Sequence, residues 1–354
     1  MKKTGIILIN YKDYAKKFLK ECRDSLREQG YSDFMVYIVD NASSQESQNY
    51  LKEIYPETII IPRDNGNYAA ANNAGIKKAI EDGCEYFVVA NMDTKFQKDW
   101  LKELVGAIKN NSKIGMAQSK MLLYPKNKDE WNSPKINSLG NVMHFLGFGF
   151  TDSYGKQDKD MNGLPEIKGY ASGCSFITRK DVIDKIGFYD EEYYMYHDDI
   201  EMGWRAKLAG YKIVLAPKSI MYHKYEFSRS VRMLYYMERN RYLVMLHYYS
   251  LLTLLLFLPA ILAMELGMIF YSIVNGWFKI KLKANIYFLK PSSWQKIFKK
   301  RKQINKIRRV KDKEIIKNFE GRVLFQEIDN PVLKYIANPM FNIYLRVVKK
   351  IYAK

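Results

Sequence analysis

The sequence predicts an α/β fold: a doubly wound, mostly parallel sheet, followed by an apolar and then basic helical C-terminal region. Three observations carry that expectation. Over the first hundred residues short apolar runs alternate with amphipathic stretches, the pattern of strands joined by crossover helices. Clusters of Asn, Asp, Ser and Gly fall directly after the strand-like runs, at the edge where open α/β sheets take their ligands. The chain's positive charge is gathered in its last quarter, just beyond its most apolar segment.

Gly5–Ile9 reads as the first strand. Tyr14 to Gln29 is helical, with Phe18, Cys22, Ser25 and Leu26 along one side and Gly30 as a stop. Met35–Val39 is a second strand, running into Asp40-Asn41-Ala42-Ser43-Ser44. Ser44 to Ile54 reads as a helix, Thr58–Ile61 as a third strand and Ala69 to Ile80 as the next helix. The short apolar run Tyr86–Ala90 then ends in Asn91-Met92-Asp93-Thr94, the signature of a buried strand delivering a carboxylate to a sheet edge. Residues 118–167 are irregular, rich in Asn, Gly, Lys and Asp. Beyond them come a strand at Ser175–Thr178, helices at Lys180–Ile186 and Ile200–Ala209, and a strand at Lys212–Leu215. Leu251 to Ile273 contains one charge, Glu265, and one proline, Pro259. Its length matches a bilayer core of about 30 Å.

Composition narrows the classes. At 354 residues, 47% apolar and 14% aromatic, the chain can bury a substantial core and exceeds one compact domain. Met1-Lys2-Lys3-Thr4 leads straight into a strand-like run too short for a signal core. The three cysteines, Cys22, Cys84 and Cys174, are widely spaced and lack a CxxC, which reads as reduced, buried thiols in a cytoplasmic protein. Of the net charge of +19, residues 279–354 carry +16 (21 Lys and Arg against 5 Asp and Glu), leaving +3 for the rest. A basic tail beside an apolar segment points to anionic lipid headgroups. No zinc-finger spacing or aromatic-basic consensus supports nucleic acid.

The clusters at the strand ends are Asn10-Tyr11, Asp40 to Ser44, Asp64 to Gly75, Asn91 to Thr94, His197 to Arg205 and Tyr222-His223. Each alone is compatible with turn or capping chemistry. An acid two residues beyond an amide on a tight turn also suits a divalent ion, since Mg²⁺ and Mn²⁺ prefer oxygen ligands.

In order and spacing these clusters resemble family 2 glycosyltransferases, the inverting GT-A class, and within it the rhamnosyltransferase-like enzymes. The resemblance covers about residues 5–225. It implies a GT-A catalytic domain over 1–230, with a donor half at about 1–117 and an acceptor half at about 118–230. An apolar, membrane-associating helical segment (231–290) and a basic helical tail (291–354) follow. Donor contacts are implied for Asn10, Asp40, Asn41, Asn65, Asn72, Asn91 and Asp93, with Asp40 addressing the imide of a pyrimidine base. Asp93 and His223 are the implied ligands of an Mn²⁺ or Mg²⁺ ion. Asn91 departs from the usual acid-x-acid pattern, and Asn67 stands where a glycine usually precedes the aromatic Tyr68. Asp199 matches the general base. Asp198, Trp204 and Gly173 match the acceptor side.

The implied partners are a nucleotide-sugar donor, a lipid-linked or membrane-proximal glycan acceptor and an anionic membrane surface, with a homo-oligomer left open. The implied location is the cytoplasmic face of the membrane, with a Pro-broken re-entrant or monotopic anchor favoured over a single crossing. Three alternatives are weighed. A processive polysaccharide synthase would carry a Gln-x-x-Arg-Trp signature, and no tryptophan here follows an arginine. A sugar nucleotidyltransferase would want a Gly-rich basic loop where Asn10-Tyr11-Lys12-Asp13 stands. An inactive glycan-binding scaffold would not need Asp93 and Asp199.

Overall fold

The computed structural model describes residues 2–224, 231–324 and 331–353. The chain forms two compact units: residues 1–141, 151–206 and 211–226 make the first, and residues 142–150, 207–210 and 227–354 the second.

The first unit opens with β1 (Thr4–Tyr11), α1 (Tyr14–Arg27), β2 (Phe34–Asn41), α2 (Gln45–Ile54), β3 (Ile59–Arg63), α3 (Tyr68–Glu81) and β4 (Tyr86–Ala90). Ser44 caps α2 through a reciprocal box with Ser47, and Asn67, which stands where a glycine is usual, caps α3 through the Ala70 N–H. There follow β5 (Thr94–Phe96), α4 (Trp100–Lys109), β6 (Ile114–Leu123), α5 (Lys128–Asn132) and β7 (Ile136–Ser138); next in the chain, β8 (Asn141–Met143) and β9 (Gly149–Thr151) pair with each other and fall almost wholly in the second unit. Then come β10 (Ser175–Arg179), α6 (Lys180–Ile186), α7 (Asp198–Leu208) and β11 (Lys212–His223).

One nine-stranded sheet runs β3-β2-β1-β4-β10-β6-β11-β5, with β7 paired to β6. Its first four strands are parallel, as the alternation predicts. Beyond β4 the sheet is mixed, because β10 inserts antiparallel between β4 and β6. A strand brought in from about 80 residues away leaves no periodicity signal of its direction. Ile6, Leu8, Ile38, Val88 and Ile177 pack with Trp100 and Leu104 in the core beneath this sheet.

The seat of α3 on the sheet is tight. A Cβ at Gly75 would lie 2.6 Å from Ile7 Cγ2 and 3.2 Å from Val39 Cγ2. Gly75→Ala should therefore cost about 1–3 kcal/mol from overpacking, read as a lower midpoint in urea with an unchanged slope.

The second unit is helical: α8 (Val231–Tyr248), α9 (Leu251–Val274), α10 (Phe278–Tyr287), α11 (Pro291–Ile307), α12 (Asp312–Ile316), a π turn at Leu333–Ala337 and α13 (Asn338–Ala353). The apolar and basic segments, expected as successive parts, belong to this one unit. Helix α9 corrects the idea of a Pro-broken hairpin, since it runs unbroken through Pro259. A proline removes one helical hydrogen bond, and the Leu-rich turns on either side keep the helix going. Glu265 is accommodated within this apolar helix by partners on its neighbours. Lys281 Nζ lies 2.7 Å from both Glu265 Oε2 and Glu238 Oε2, Asn285 donates to Glu265 Oε1 at 2.7 Å, and the Tyr242 hydroxyl donates to the same carboxylate.

Candidate active site

Strand register assembles the site. Asn10 lies opposite Asp40, and Asn41 opposite Arg63, at the carboxyl ends of β1, β2 and β3. Ala90 pairs with Leu8 on one side and with Ser175 on the other, so the turn from Asn91 and the entry to β10 reach the same edge. His223 ends β11 opposite Thr94, which brings it beside Asp93. Six non-glycine residues among those described have left-handed backbone, and five of them lie in these loops: Lys12, Ala42, Tyr194, Tyr196 and His197. Such strain persists only where the surroundings enforce it, and it concentrates at functional sites.

Around β1 and β2 the polar residues hold one another. Asp40 is fully buried and accepts from Asn10 Nδ2 (2.7 Å), Ser43 Oγ (2.7 Å) and Ser47 Oγ (2.5 Å). Asn10 also accepts from the Ala15 N–H and donates to Lys12 O. Asp40 and Asn10, expected at the donor, thus hold each other and the serines at the carboxyl ends of β1 and β2, where they shape the loops. Asn41 is likewise internal, donating to Asn67 O and accepting from Arg63. Asn65 is exposed and, with Ser43, Pro62, Arg63 and Asp64, lines a cavity of about 550 Å³ at this edge. Asn72 is fully buried, its amide nitrogen donating to Tyr68 O and its oxygen left without a hydrogen-bond partner.

Asp93 and His223 come together as expected. His223 Nε2 lies 3.2 Å from Asp93 Oδ2, and Nδ1 lies 3.0 Å from Asn137 Oδ1. Asp93 Oδ1 is buried without a hydrogen-bond partner. Burial would raise the Asp93 carboxyl, but His223 outweighs it and holds the group below its usual value. Burial would lower the imidazole, but Cys174 and Asp93 hold it well above its usual value. A second cavity, of about 530 Å³, reaches His223 and is lined by Lys17, Lys126, Lys135 and Lys224. Asn91 lies between, its N–H bonded to Cys174 O and its side-chain oxygen 3.4 Å from the Tyr68 hydroxyl.

The acid pair sits at the head of α7. Asp198 is buried, and burial followed by repulsion from Asp199 raises its carboxyl well above the usual range. Asp199 is pushed up to about 6 by burial, restrained by the N–H groups of Gly173 (3.4 Å to Oδ2) and Ile200 (2.8 Å to Oδ1). Burial thus raises both carboxyls, Asp198 further through repulsion by Asp199, and the two titrate as a pair. Tyr68, Tyr170 and Tyr189 surround the pair, each phenol raised first by burial and further by these carboxylates.

The loop leading to the pair is anchored on α3. The N–H groups of Tyr68 and Ala69 donate to Tyr194 O, and Asn73 bridges Tyr189 and Glu191. From below, Arg205 binds Ile186 O, Phe188 O and Glu201. Trp204, expected on the acceptor side, is 2% exposed. It is buried on α7, whereas Gly173 lies at the edge, bonded to Asp199.

The sequence model of glycosyl transferase family 2 matches residues 5–187, just over half the chain. The chain belongs to glycosyl transferase family 2. This glycosyltransferase is 25% identical over 206 residues to the N-acetylglucosaminyl-diphospho-decaprenol L-rhamnosyltransferase of Mycobacterium tuberculosis, over 53% of the chain and 66% of that protein. It is 24% identical over 207 residues to the low-salt glycan biosynthesis hexosyltransferase Agl10 of Haloferax volcanii, over 57% of the chain and 61% of that protein. The chain thus spans just under two thirds of the length of these relatives.

Its fold is similar to GalNAc-T7 solved with UDP, GalNAc and Mn²⁺ (11% identity, TM-score 0.56, 83% of this chain and 57% of that one). It is also similar to Staphylococcus aureus TarS 1–349 solved with UDP-GlcNAc (16% identity, TM-score 0.51, 99% of this chain and 91% of that one). At such identities the likeness speaks for the fold alone, a GT-A-like mixed sheet.

Several residues of this glycosyltransferase's site are invisible to sequence reading. Asn137, which orients His223, lies in the irregular region and carries no motif. The Tyr14 phenol, raised first by burial and then by Asp93, reads in sequence only as the start of a helix. Tyr189 lies between α6 and α7, outside the clusters that the sequence marks. Its hydroxyl is buried without a hydrogen-bond partner.

Proposed function

We propose that this glycosyltransferase moves one sugar from a nucleotide diphosphate sugar, UDP- or dTDP-linked, to a hydroxyl of a lipid-linked or cell-surface glycan, with inversion at the anomeric carbon. One observation carries the reading above the others: a split carboxylate pair, Asp198 and Asp199 at the head of α7, stands with the Asp93–His223 pair at one sheet edge. Asp199, ionised near neutrality, serves as general base, taking the acceptor hydroxyl's proton as its oxygen attacks. Asp198, holding its proton, can donate a hydrogen bond to an acceptor oxygen, and Gly173 N–H keeps Asp199 aimed. Arg63, Ser43 and Asn65 take the nucleotide end of the donor in place of the internal Asp40, with Asn41 fixing Arg63. Asn91 addresses the ribose or phosphate.

A divalent ion fits the Asp93–His223 pair. With Nδ1–H donating to Asn137, a neutral imidazole would turn its Nε2 lone pair toward the Asp93 carboxylate, an arrangement that needs a cation or a proton between them. The unpartnered Asp93 Oδ1 adds a further oxygen donor. Two protein ligands leave positions open for phosphate oxygens and water, which suits Mg²⁺ or Mn²⁺. When bound, such an ion neutralises charge on the leaving diphosphate.

The acceptor class is supported by the diphospho-decaprenol-linked substrate in the mycobacterial relative's name and by the apolar helix of the second unit. Leu251, Leu252, Leu255, Leu258, Leu262 and Leu266 are all at least 45% exposed, a stripe at helical spacing along one side of α9. The opposite side of α9, with Thr253, Phe257, Ala260 and Met264, is buried, and a helix exposed along one side only suits monotopic embedding at the cytoplasmic leaflet better than a crossing.

The test is a screen of UDP-, dTDP- and GDP-sugars by thermal shift with Mn²⁺, followed by NMR of the product anomer. Stabilisation by a UDP- or dTDP-sugar and an inverted product are expected; a saturating ligand should add a few kcal/mol. Retention of configuration would overturn the single displacement, and stabilisation by GDP-sugars alone would overturn the donor class.

A further inference from the structure

The second unit contains a cavity of about 530 Å³ at the junction of α8 and α9 that the reaction chemistry does not use. Four cations line it, Arg301, Arg308, Lys311 and Lys313, against one acid, Asp312. That acid is already committed. Its Oδ1 accepts from Arg308 at 2.6 Å, and its Oδ2 accepts from the Ser250 N–H at 2.7 Å and from the Thr253 hydroxyl. Among the described residues, three positive charges are therefore left without a counter-charge lining the cavity. The crowding shows in Arg301, whose guanidinium is lowered first by burial and then by Arg308.

The Arg side chains are held in place. Arg301 donates to Leu246 O and Tyr249 O, and Arg308 to Tyr248 O, all carbonyls at the end of α8 where cations are favoured. The cavity is thus a built cationic site with fixed forks, suited to phosphate oxygens. Its lip is apolar. Leu251, which also lines it, is 69% exposed and begins the leucine stripe of α9.

We propose that this cavity binds the phosphate of a membrane lipid, with the hydrocarbon chain lying along the exposed leucines of α9. A soluble phosphate would have no use for that stripe, whereas a phosphorylated lipid matches both halves of the site. The chemistry is shared by an anionic phospholipid headgroup and by a polyprenyl diphosphate. The inference rests on the membrane association proposed above and is independent of the donor site.

The test uses the full chain and the paired substitution Lys311→Glu with Lys313→Glu, two exposed positions whose change leaves the Arg308–Asp312 pair intact. Lys279→Glu with Lys299→Glu, on α10 and α11, makes the same charge change outside the cavity. Melting temperature verifies that both variants fold. Flotation with phosphatidylcholine vesicles, with and without phosphatidylglycerol, measures one source, and a polyprenyl diphosphate in neutral detergent micelles measures the other.

The cavity pair should weaken binding to at least one of these probes about tenfold or more, since each Lys near an anionic surface contributes on the order of 1 kcal/mol. The control pair should change it less than threefold or so by screening. Loss confined to phosphatidylglycerol vesicles identifies a headgroup, and loss confined to the micelles identifies the polyprenyl diphosphate. Equal losses from both pairs, or none from either, would overturn the site in favour of diffuse charge. Inorganic phosphate competing as strongly as the lipid would also overturn it. Failure of the unaltered chain to bind any vesicle or micelle would instead remove the membrane reading on which the site depends.

Discussion

Asp199→Asn should lower kcat by about 10²–10⁴, the range for loss of a positioned general base, while donor affinity stays within about twofold. The amide keeps the shape of the carboxylate and, through its one oxygen, the 2.8 Å contact with the Ile200 N–H, giving up only the 3.4 Å contact from Gly173; it has no lone pair basic enough to take the acceptor's proton. The pH profile gives a second reading of the same residue. Burial pushes Asp199 up to about 6, so its base form fills as pH rises through that value. Activity should accordingly climb across roughly pH 5–7, with the limb belonging to the coupled Asp198–Asp199 pair. The Asn variant should lose that limb. Turnover within about tenfold of the parent, with the limb unchanged, would reduce Asp199 to a helix-capping role and move the base to Asp198.

Removing the Asp93 carboxylate should have an effect of similar size through a different step. A bound Lewis acid contributes several kcal/mol at a developing oxyanion, and about 1.4 kcal/mol is a factor of ten in rate. Asp93→Ala, or exhaustive EDTA, should therefore reduce transfer on the order of 10³-fold. Here donor affinity should fall as well, since the diphosphate loses its counter-charge; that separates the two variants. The elevated His223 imidazole supplies a readout independent of turnover. Adding Mn²⁺ to metal-free protein near pH 7 should release about one proton as the ion displaces it from the ring. Full activity without metal, and no proton release, would mean that the Asp93–His223 pair is a structural ion pair.

Much of this protein was legible in its sequence for local reasons. The order of strands and helices over residues 5–90 follows from apolar periodicity, and the Ser44 cap from a side chain that satisfies its own backbone. Asp93, Asp199 and His223 stand out because each ends a strand-like run or heads a helix, positions whose chemistry is set within a few residues. These are short-range properties, and a linear text records them.

What only the tertiary structure decided are the matters of direction and partner. Asp40 and Trp204 occupy the positions expected of them, yet one is committed to Asn10, Ser43 and Ser47 and the other turns into the core. Asn137 meets His223 across 86 residues of chain, and β10 enters the sheet antiparallel beside β4. Helix α9 keeps Glu265 because Lys281 and Asn285 reach it from α10. Each of these outcomes depends on which distant side chain is within about 3 Å, where a buried polar group gains a partner or loses several kcal/mol. That choice is made by packing among elements far apart in sequence, and residue spacing along the chain does not encode it.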